Sequence, residues 1–163
     1  MICYGLEGAG YMSLKIREGS LEDAELICEL VVNLLSELRG KPLGNHSLMS
    51  ICKELLQNKR QLYMVYLAFK ENECLGIITL SECASLYAQG TYGIIQELYI
   101  IPGGRSQGIG NQLINRAKDY GIKCGWDRIE VGAPSVEQWR KTISFYKREG
   151  FQEVGPRLKY HIN

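Results

Sequence analysis

Histidine is nearly absent, with two in 163 residues, and the six cysteines (Cys3, Cys28, Cys52, Cys74, Cys83 and Cys124) are scattered, never at C-x-x-C spacing. Zinc and iron–sulfur sites need clustered ligands, so no resident metal is expected. Thiols placed this way read as reduced and mostly buried, which points to a cytoplasmic protein. No apolar run approaches the ~20 residues that cross a bilayer. The opening "MICYGLEGAGYM" has neither the basic region nor the apolar stretch of a signal peptide, so no membrane partner is expected. Charge of one sign is missing too: 19 Lys and Arg stand against 18 Asp and Glu, interleaved, for a net charge of +1. A nucleic-acid partner would call for a basic footprint, and none is present. Nor is there an internal repeat, or a linker rich enough in Pro, Gly or Ser to divide the chain. The reading is one domain over 13–163, preceded by an extension over 1–12.

What is present suits a packed domain: 45% of residues are apolar and 23% charged. "SLKIRE" (13–18) alternates and reads as a strand. In "SLEDAELICELVVNLLSELRG", Ser20 and Asp23 stand at capping-box spacing. Ile27, Val31, Leu34, Leu35 and Leu38 follow as one helical stripe, and Gly40 ends it. Leu48, Ile51, Cys52, Leu55 and Leu56 mark a second amphipathic helix. The period then changes: "QLYMVYLAF", "CLGIITLSEC" and "TYGIIQELYII" are apolar runs of strand length, joined by loops short enough for an antiparallel meander. Ile109, Leu113, Ile114 and Ala117 give a third helix, and "RIEVGA" a strand. Ser135 and Gln138 form another capping box, before a helix whose apolar face is Val136, Ile143 and Phe145/Tyr146. "FQEVGPRLKYHI" supplies one or two last short strands. The order β-α-α-β-β-β-α-β-α-β describes an α/β (α+β) fold. Strand–helix–strand over 92–132 makes that pair parallel. The rest of the sheet is most simply antiparallel, with helices on both faces.

"IIPGGRSQGIGNQLI" (100–114) carries four glycines where a strand runs into a helix. Gly103 and Gly108 have P-loop spacing, but Ile109 and Gly110 stand where Lys and Ser/Thr belong, so ATP and GTP are not indicated. Gly108-Ile109-Gly110 begins a dinucleotide fingerprint, yet Leu113 occupies its third glycine position. The pattern that is met is R-x-x-G-x-G, from Arg105 to Gly110. A helix opening at 107–110 offers free backbone N–H groups and the positive end of its dipole, which suits a pyrophosphate. Glycines at 108 and 110 keep Cβ atoms out of the way, and Arg105 adds a donor fork matched to phosphate oxygens.

"LYIIPGGRSQGIGNQLI" resembles the acetyl-coenzyme A loop of the GNAT superfamily of N-acetyltransferases. "FYKREGF" (145–151), one strand and one helix later, resembles that family's second signature. The two occur in the family's order and spacing, and the element order matches over 13–163. The resemblance implies a GNAT-type sheet, largely antiparallel with a parallel pair at the cofactor site, and acetyl-CoA as cosubstrate. It implies that the backbone of Leu98, Tyr99 and Ile100 pairs with the pantetheine arm. It further implies that Arg105, Ser106, Gln107, Gly108, Ile109, Gly110 and Asn111 hold the pyrophosphate. Many members carry an asparagine on the pantetheine seven residues before the signature tyrosine. Here Trp139 takes that place, and an indole there packs against the cofactor or shapes the pocket.

Acetyl transfer to an amine first has to remove a proton. An alkyl amine with pKa near 10.4 is neutral in about one molecule per few thousand at pH 7, a cost of ~4–5 kcal/mol. A general base is therefore expected. Glu97, near the end of the strand that feeds the loop, is the candidate, with Glu130 on the neighbouring parallel strand as the alternative. Tyr146 matches the signature tyrosine, which implies contact with the coenzyme A sulfur. For the acceptor, Glu37, Arg39, Glu82, Tyr87, Tyr92 and Arg157 lie in the walls that the family uses, without a recognisable code. "GIIQELYIIP" resembles enzymes that acetylate small aminoalkyl compounds such as aminophosphonates. The leading expectation is transfer to a primary amine of a small molecule. Acetylation of a protein N-terminus or lysine, and a non-catalytic acyl-CoA-binding module, stay open. So does a homodimer in which a partner completes the sheet edge.

Overall fold

A computed structural model describes residues 13–44, 48–57, 62–133 and 139–162. The extension over 1–12 and the second capping box, Ser135 and Gln138, lie outside the described residues. Strand β1 (Lys15–Glu18) leads into a 3-10 turn (Leu21–Asp23), then α1 (Ala24–Arg39) and α2 (Leu48–Gln57). The meander is β2 (Tyr63–Lys70), β3 (Glu73–Ser85) and β4 (Gly90–Ile100). Then come a 3-10 turn (Pro102–Gly104), α3 (Ile109–Cys124), β5 (Ile129–Val131) and α4 (Arg140–Arg148).

Local chemistry sets these boundaries. The expected box at Ser20 forms: its N–H donates to Asp23 Oδ2 at 2.8 Å, and Arg17 grips the same carboxylate at 2.6 and 2.8 Å. Gly40 ends α1, where the Lys41 N–H reaches back to the Ser36 carbonyl at 3.2 Å. The β2–β3 connection is only Glu71 and Asn72, as the short "ENE" spacer predicts.

The sheet order is β1-β2-β3-β4-β5, antiparallel throughout except for the parallel β4–β5 pair. The alternation of the strands divides the core in two. Ile27, Cys28 and Leu30 of α1 and Cys52 of α2 pack on Val65, Leu67, Ile77 and Tyr99 on one face. On the other face, Ile109, Leu113, Ile114 and Ala117 of α3 and Tyr146 of α4 pack on Tyr66, Ile78, Leu80 and Ile95. Helices on both faces of a mixed sheet are what the hydrophobic periods predict.

Two features depart from the sequence reading. Glu97 faces Thr79 and Ile95 faces Leu80, so Gln96 is an extra residue that makes a bulge in β4. The final strands expected in "FQEVGPRLKYHI" do not form, and residues 151–162 have no regular structure. Val154, Leu158, Tyr160 and Ile162 are 83–93% exposed there. An alternating segment becomes a strand only against a ladder partner and a buried face. Pro156, moreover, has no N–H to give.

Candidate active site

The site begins with what the β4 bulge does to the sheet. β5 pairs with β4 only over Gly93–Ile95, so beyond the bulge the two strands part. The Ile101 N–H donates to the Leu75 carbonyl at 3.0 Å, on the β3 side. By alternation, the N–H and C=O groups of Leu98 and Ile100 point the other way, into the opening. A ligand with amide groups could pair there as another strand would. The Ile100 carbonyl already accepts from Arg105 Nε at 3.0 Å.

The glycine loop lies beyond the end of that open edge. Gly108 is left-handed at φ 79, and the first backbone N–H of this region with a backbone acceptor is that of Gln112, on the Gly108 carbonyl at 3.1 Å. From Ser106 to Asn111 no backbone N–H has an acceptor among the described residues. Consecutive free N–H groups at the N-terminus of a 16-residue helix form an anion cradle. Ser106, itself at φ 62, and Gln107 are exposed, with Gln107 Nε2 on the Gly103 carbonyl at 2.8 Å. Ile109 is buried in the core below. Gly110 has a second reason to be glycine: a Cβ there would stand 3.1 Å from Phe145 Cζ. Asn111 Nδ2 donates to Glu149 Oε2 at 2.7 Å, which ties α3 to the end of α4.

Arg105 is turned towards α1. Its Nη2 donates to both Glu37 oxygens at 2.7 and 2.8 Å, its guanidinium lies over the Tyr99 ring, and the Tyr99 hydroxyl donates to Glu37 Oε1 at 3.0 Å. Burial, then the hydrogen bond to Glu37, push the Tyr99 phenol up. Glu37, placed by sequence only in the acceptor wall, thus joins α1 to the glycine loop.

Glu97 is half-buried on the α1/α2 face. Its Oε2 accepts from the Tyr63 hydroxyl at 3.1 Å and from the Thr79 hydroxyl, and its N–H donates to Thr79 Oγ1 at 3.0 Å. Burial, followed by the Glu97 charge, pushes the Tyr63 phenol well above its ordinary range. Tyr146 is buried on the opposite face, edge-on to Phe145 and Phe151 at 5.3 and 5.4 Å between ring centres. Burial lifts its phenol to about 12. It borders a groove beside β5 with Val131 and Gly132. The two expected catalytic residues therefore stand on opposite faces, on either side of the sheet where β4 and β5 part. Trp139 is half-buried at the start of α4, its carbonyl accepting the Ile143 N–H at 3.0 Å.

Glu130, the alternative base, is paired with Arg128 at 2.8 Å, and Arg128 lies over the rings of Tyr87 and Tyr92. Glu82 accepts from Trp126 Nε1 at 2.6 Å. Arg157 lies against Gly132, and Arg39 is exposed at the end of α1. Among the described residues no group of His, Cys, Asp or Glu could hold a metal ion, and no helix is long and apolar enough to cross a membrane. Sequence reasoning missed Tyr63 and Thr79; the one signal was a threonine inside the apolar run "CLGIITLSEC".

Comparison with known proteins supplies what geometry alone does not. A family model described as the acetyltransferase (GNAT) domain matches residues 59–153. The chain is 32% identical over 143 residues to the aminoalkylphosphonate N-acetyltransferase of Salmonella typhimurium, covering 85% of each protein. It is 25% identical over 154 residues to YhfO, an uncharacterized N-acetyltransferase of Bacillus subtilis, covering 92% of this chain and 97% of that one. An aminoglycoside acetyltransferase from an uncultured soil metagenomic sample shares the fold, with a TM-score of 0.77, 20% identity and coverage of 92% and 97%.

Proposed function

The chain belongs to the GNAT acetyltransferase family and is an acyltransferase; from that premise we propose that it moves the acetyl group of acetyl-CoA directly to a primary amine of a small molecule. The observation that carries the cofactor assignment is the run of acceptor-free backbone N–H groups from Ser106 to Asn111. They open α3 beside the unpaired edge at Leu98 and Ile100. A pyrophosphate on the first and a chain of amides along the second is what coenzyme A offers. The residues present fit the group.

Acetyl-CoA, when bound, supplies the acetyl group as a thioester. The Ser106–Asn111 N–H groups bind its phosphates without losing any existing bond, and Leu98 and Ile100 align its arm in the split. A ligand lying there can be reached from both faces, which gives the opposed placement of Glu97 and Tyr146 a purpose. Glu97 Oε1, which has no hydrogen-bond partner among the described residues, takes the proton of the ammonium group. Tyr146, protonated up to about 12, keeps the proton on its hydroxyl to offer to the departing sulfur. No nucleophile of the protein is needed. The likeness to the aminoalkylphosphonate enzyme supports a small aminoalkyl acceptor.

Coenzyme A tests the cradle. A ligand at ~100 times its dissociation constant adds about 2.7 kcal/mol of stability, several degrees in Tm for a domain of this size. Wild type is expected to show that rise and Gly108→Val to lose it. A full rise in the variant contradicts the assignment.

A further inference from the structure

Thr79 is the one fully buried polar side chain among the described residues, at 0% exposure. Its position follows from the bulge. Gln96 shifts the ladder, so Glu97 becomes the register partner of Thr79, and its N–H lies on Thr79 Oγ1 at 3.0 Å. A hydroxyl has one proton and two lone pairs. The remaining proton of Thr79 goes to Glu97 Oε2, so one side chain holds both ends of the same residue. Tyr63, reaching diagonally from β2, adds its hydroxyl to the same oxygen at 3.1 Å. A buried threonine hydroxyl with both of its bonds on one glutamate is a costly arrangement for a glutamate that merely faces solvent.

We propose that Tyr63 and Thr79 are positioning residues for the reaction: together they clamp Glu97 by its N–H and by Oε2, and leave Oε1 as the atom that takes the amine's proton. This rests on reading Glu97 as the base. Among the described residues no other side chain bonds to the carboxylate. From α2, Cys52 is a thiol that burial and its neighbour Cys28 keep protonated, its pKa raised to about 12. From α1, Glu37 is tied to Arg105 and Tyr99. Because the Tyr63 phenol is pushed up, it remains a donor across the working range. Two donors on one oxygen fix the rotation of the carboxylate.

The test has one arm in the resting protein and one in turnover. With Tyr63 labelled in the ring, its phenol is expected to titrate lower in Glu97→Gln than in wild type, because the neighbouring charge has gone. No change overturns the clamp. In turnover, Tyr63→Phe is expected to lower kcat about tenfold or more, with KM for acetyl-CoA unchanged. Thr79→Ser, which keeps the hydroxyl, is expected to retain activity. The Tyr63→Phe loss is expected to vanish in a Glu97→Gln background. An equal loss in both backgrounds overturns the proposal, since Tyr63 then acts on some other group. Wild-type turnover by Glu97→Gln at pH 7 removes the base assignment and the catalytic role of the clamp with it. The labelled titration still reports separately whether the contact exists.

Discussion

Asp23 caps the first turn and holds Arg17 with one carboxylate. The hydrogen bond from Arg17 is the main cause that draws its carboxyl down to about 2, with the Ser20 backbone and hydroxyl adding to it. A folded pKa below the unfolded value of about 3.9 stabilises the protein above that value, and the contribution is lost as pH falls through about 2. Asp23→Asn is thus expected to cost about 1 kcal/mol at pH 7, a figure discounted for the exposed side of Arg17. Denaturant titrations of the two proteins should converge as the pH approaches 2. For the reaction, Glu97→Gln is expected to lower turnover by ~10²–10⁴-fold near pH 7 and to recover partly at high pH, where free amine is abundant. Tyr146→Phe is expected to lose less at pH 7, because a thiolate leaving group needs less help than an ammonium. Paired pH–rate profiles check both. If Glu130→Gln lost activity and Glu97→Gln did not, the base would stand on β5. Glu97 could be named a candidate because an amine acceptor demands a base near the loop. Tyr63 and Thr79 were not, because their role depends on a bulge that strand periodicity does not display.

At the scale of elements, glycine positions show what a motif conceals. Gly108 is left-handed, where the loop reading asked only for a missing Cβ. Gly110, read from sequence as clearance for a ligand, also lets α3 settle against Phe145 of α4. Gly110→Val is therefore expected to lower stability in the absence of coenzyme A, which Gly108→Val on the exposed turn does chiefly through backbone strain. Gly93 in β4 is a sharper case: a Cβ would lie 2.1 Å from Trp126 Cζ3, and Trp126 holds Glu82. Gly93→Ala is expected to cost about 1–3 kcal/mol by overpacking, read as a fall in the denaturation midpoint. An unchanged midpoint would mean that the indole swings away at no cost. Helices with a stripe, such as α1 and α3, were legible from their period alone. The C-terminal strands were misread because alternation in Val154, Leu158, Tyr160 and Ile162 describes a residue pattern and not a partner.

The whole molecule is two hydrophobic cores separated by a sheet that opens at one place. The α1/α2 core carries Glu97 with Tyr63 and Thr79, the α3/α4 core carries Tyr146, and under the proposed function a ligand in the split between β4 and β5 would reach both. The glycine loop lies at the end of this split, with Arg105 linking it to α1 through Glu37. Composition and motif order were enough to expect the fold and the family. The acceptor was not legible, because the residues offered for its walls form no code: Glu82 holds Trp126, and Tyr87 and Tyr92 lie under Arg128. The most direct test is to incubate the purified protein with acetyl-CoA and a panel of small primary amines at neutral pH. Free thiol and N-acetylated amine are followed together. The account predicts equal amounts of both, dependent on the amine and greatly reduced in Glu97→Gln. Coenzyme A binding with no thiol release on any amine, aminoalkylphosphonates included, would contradict it.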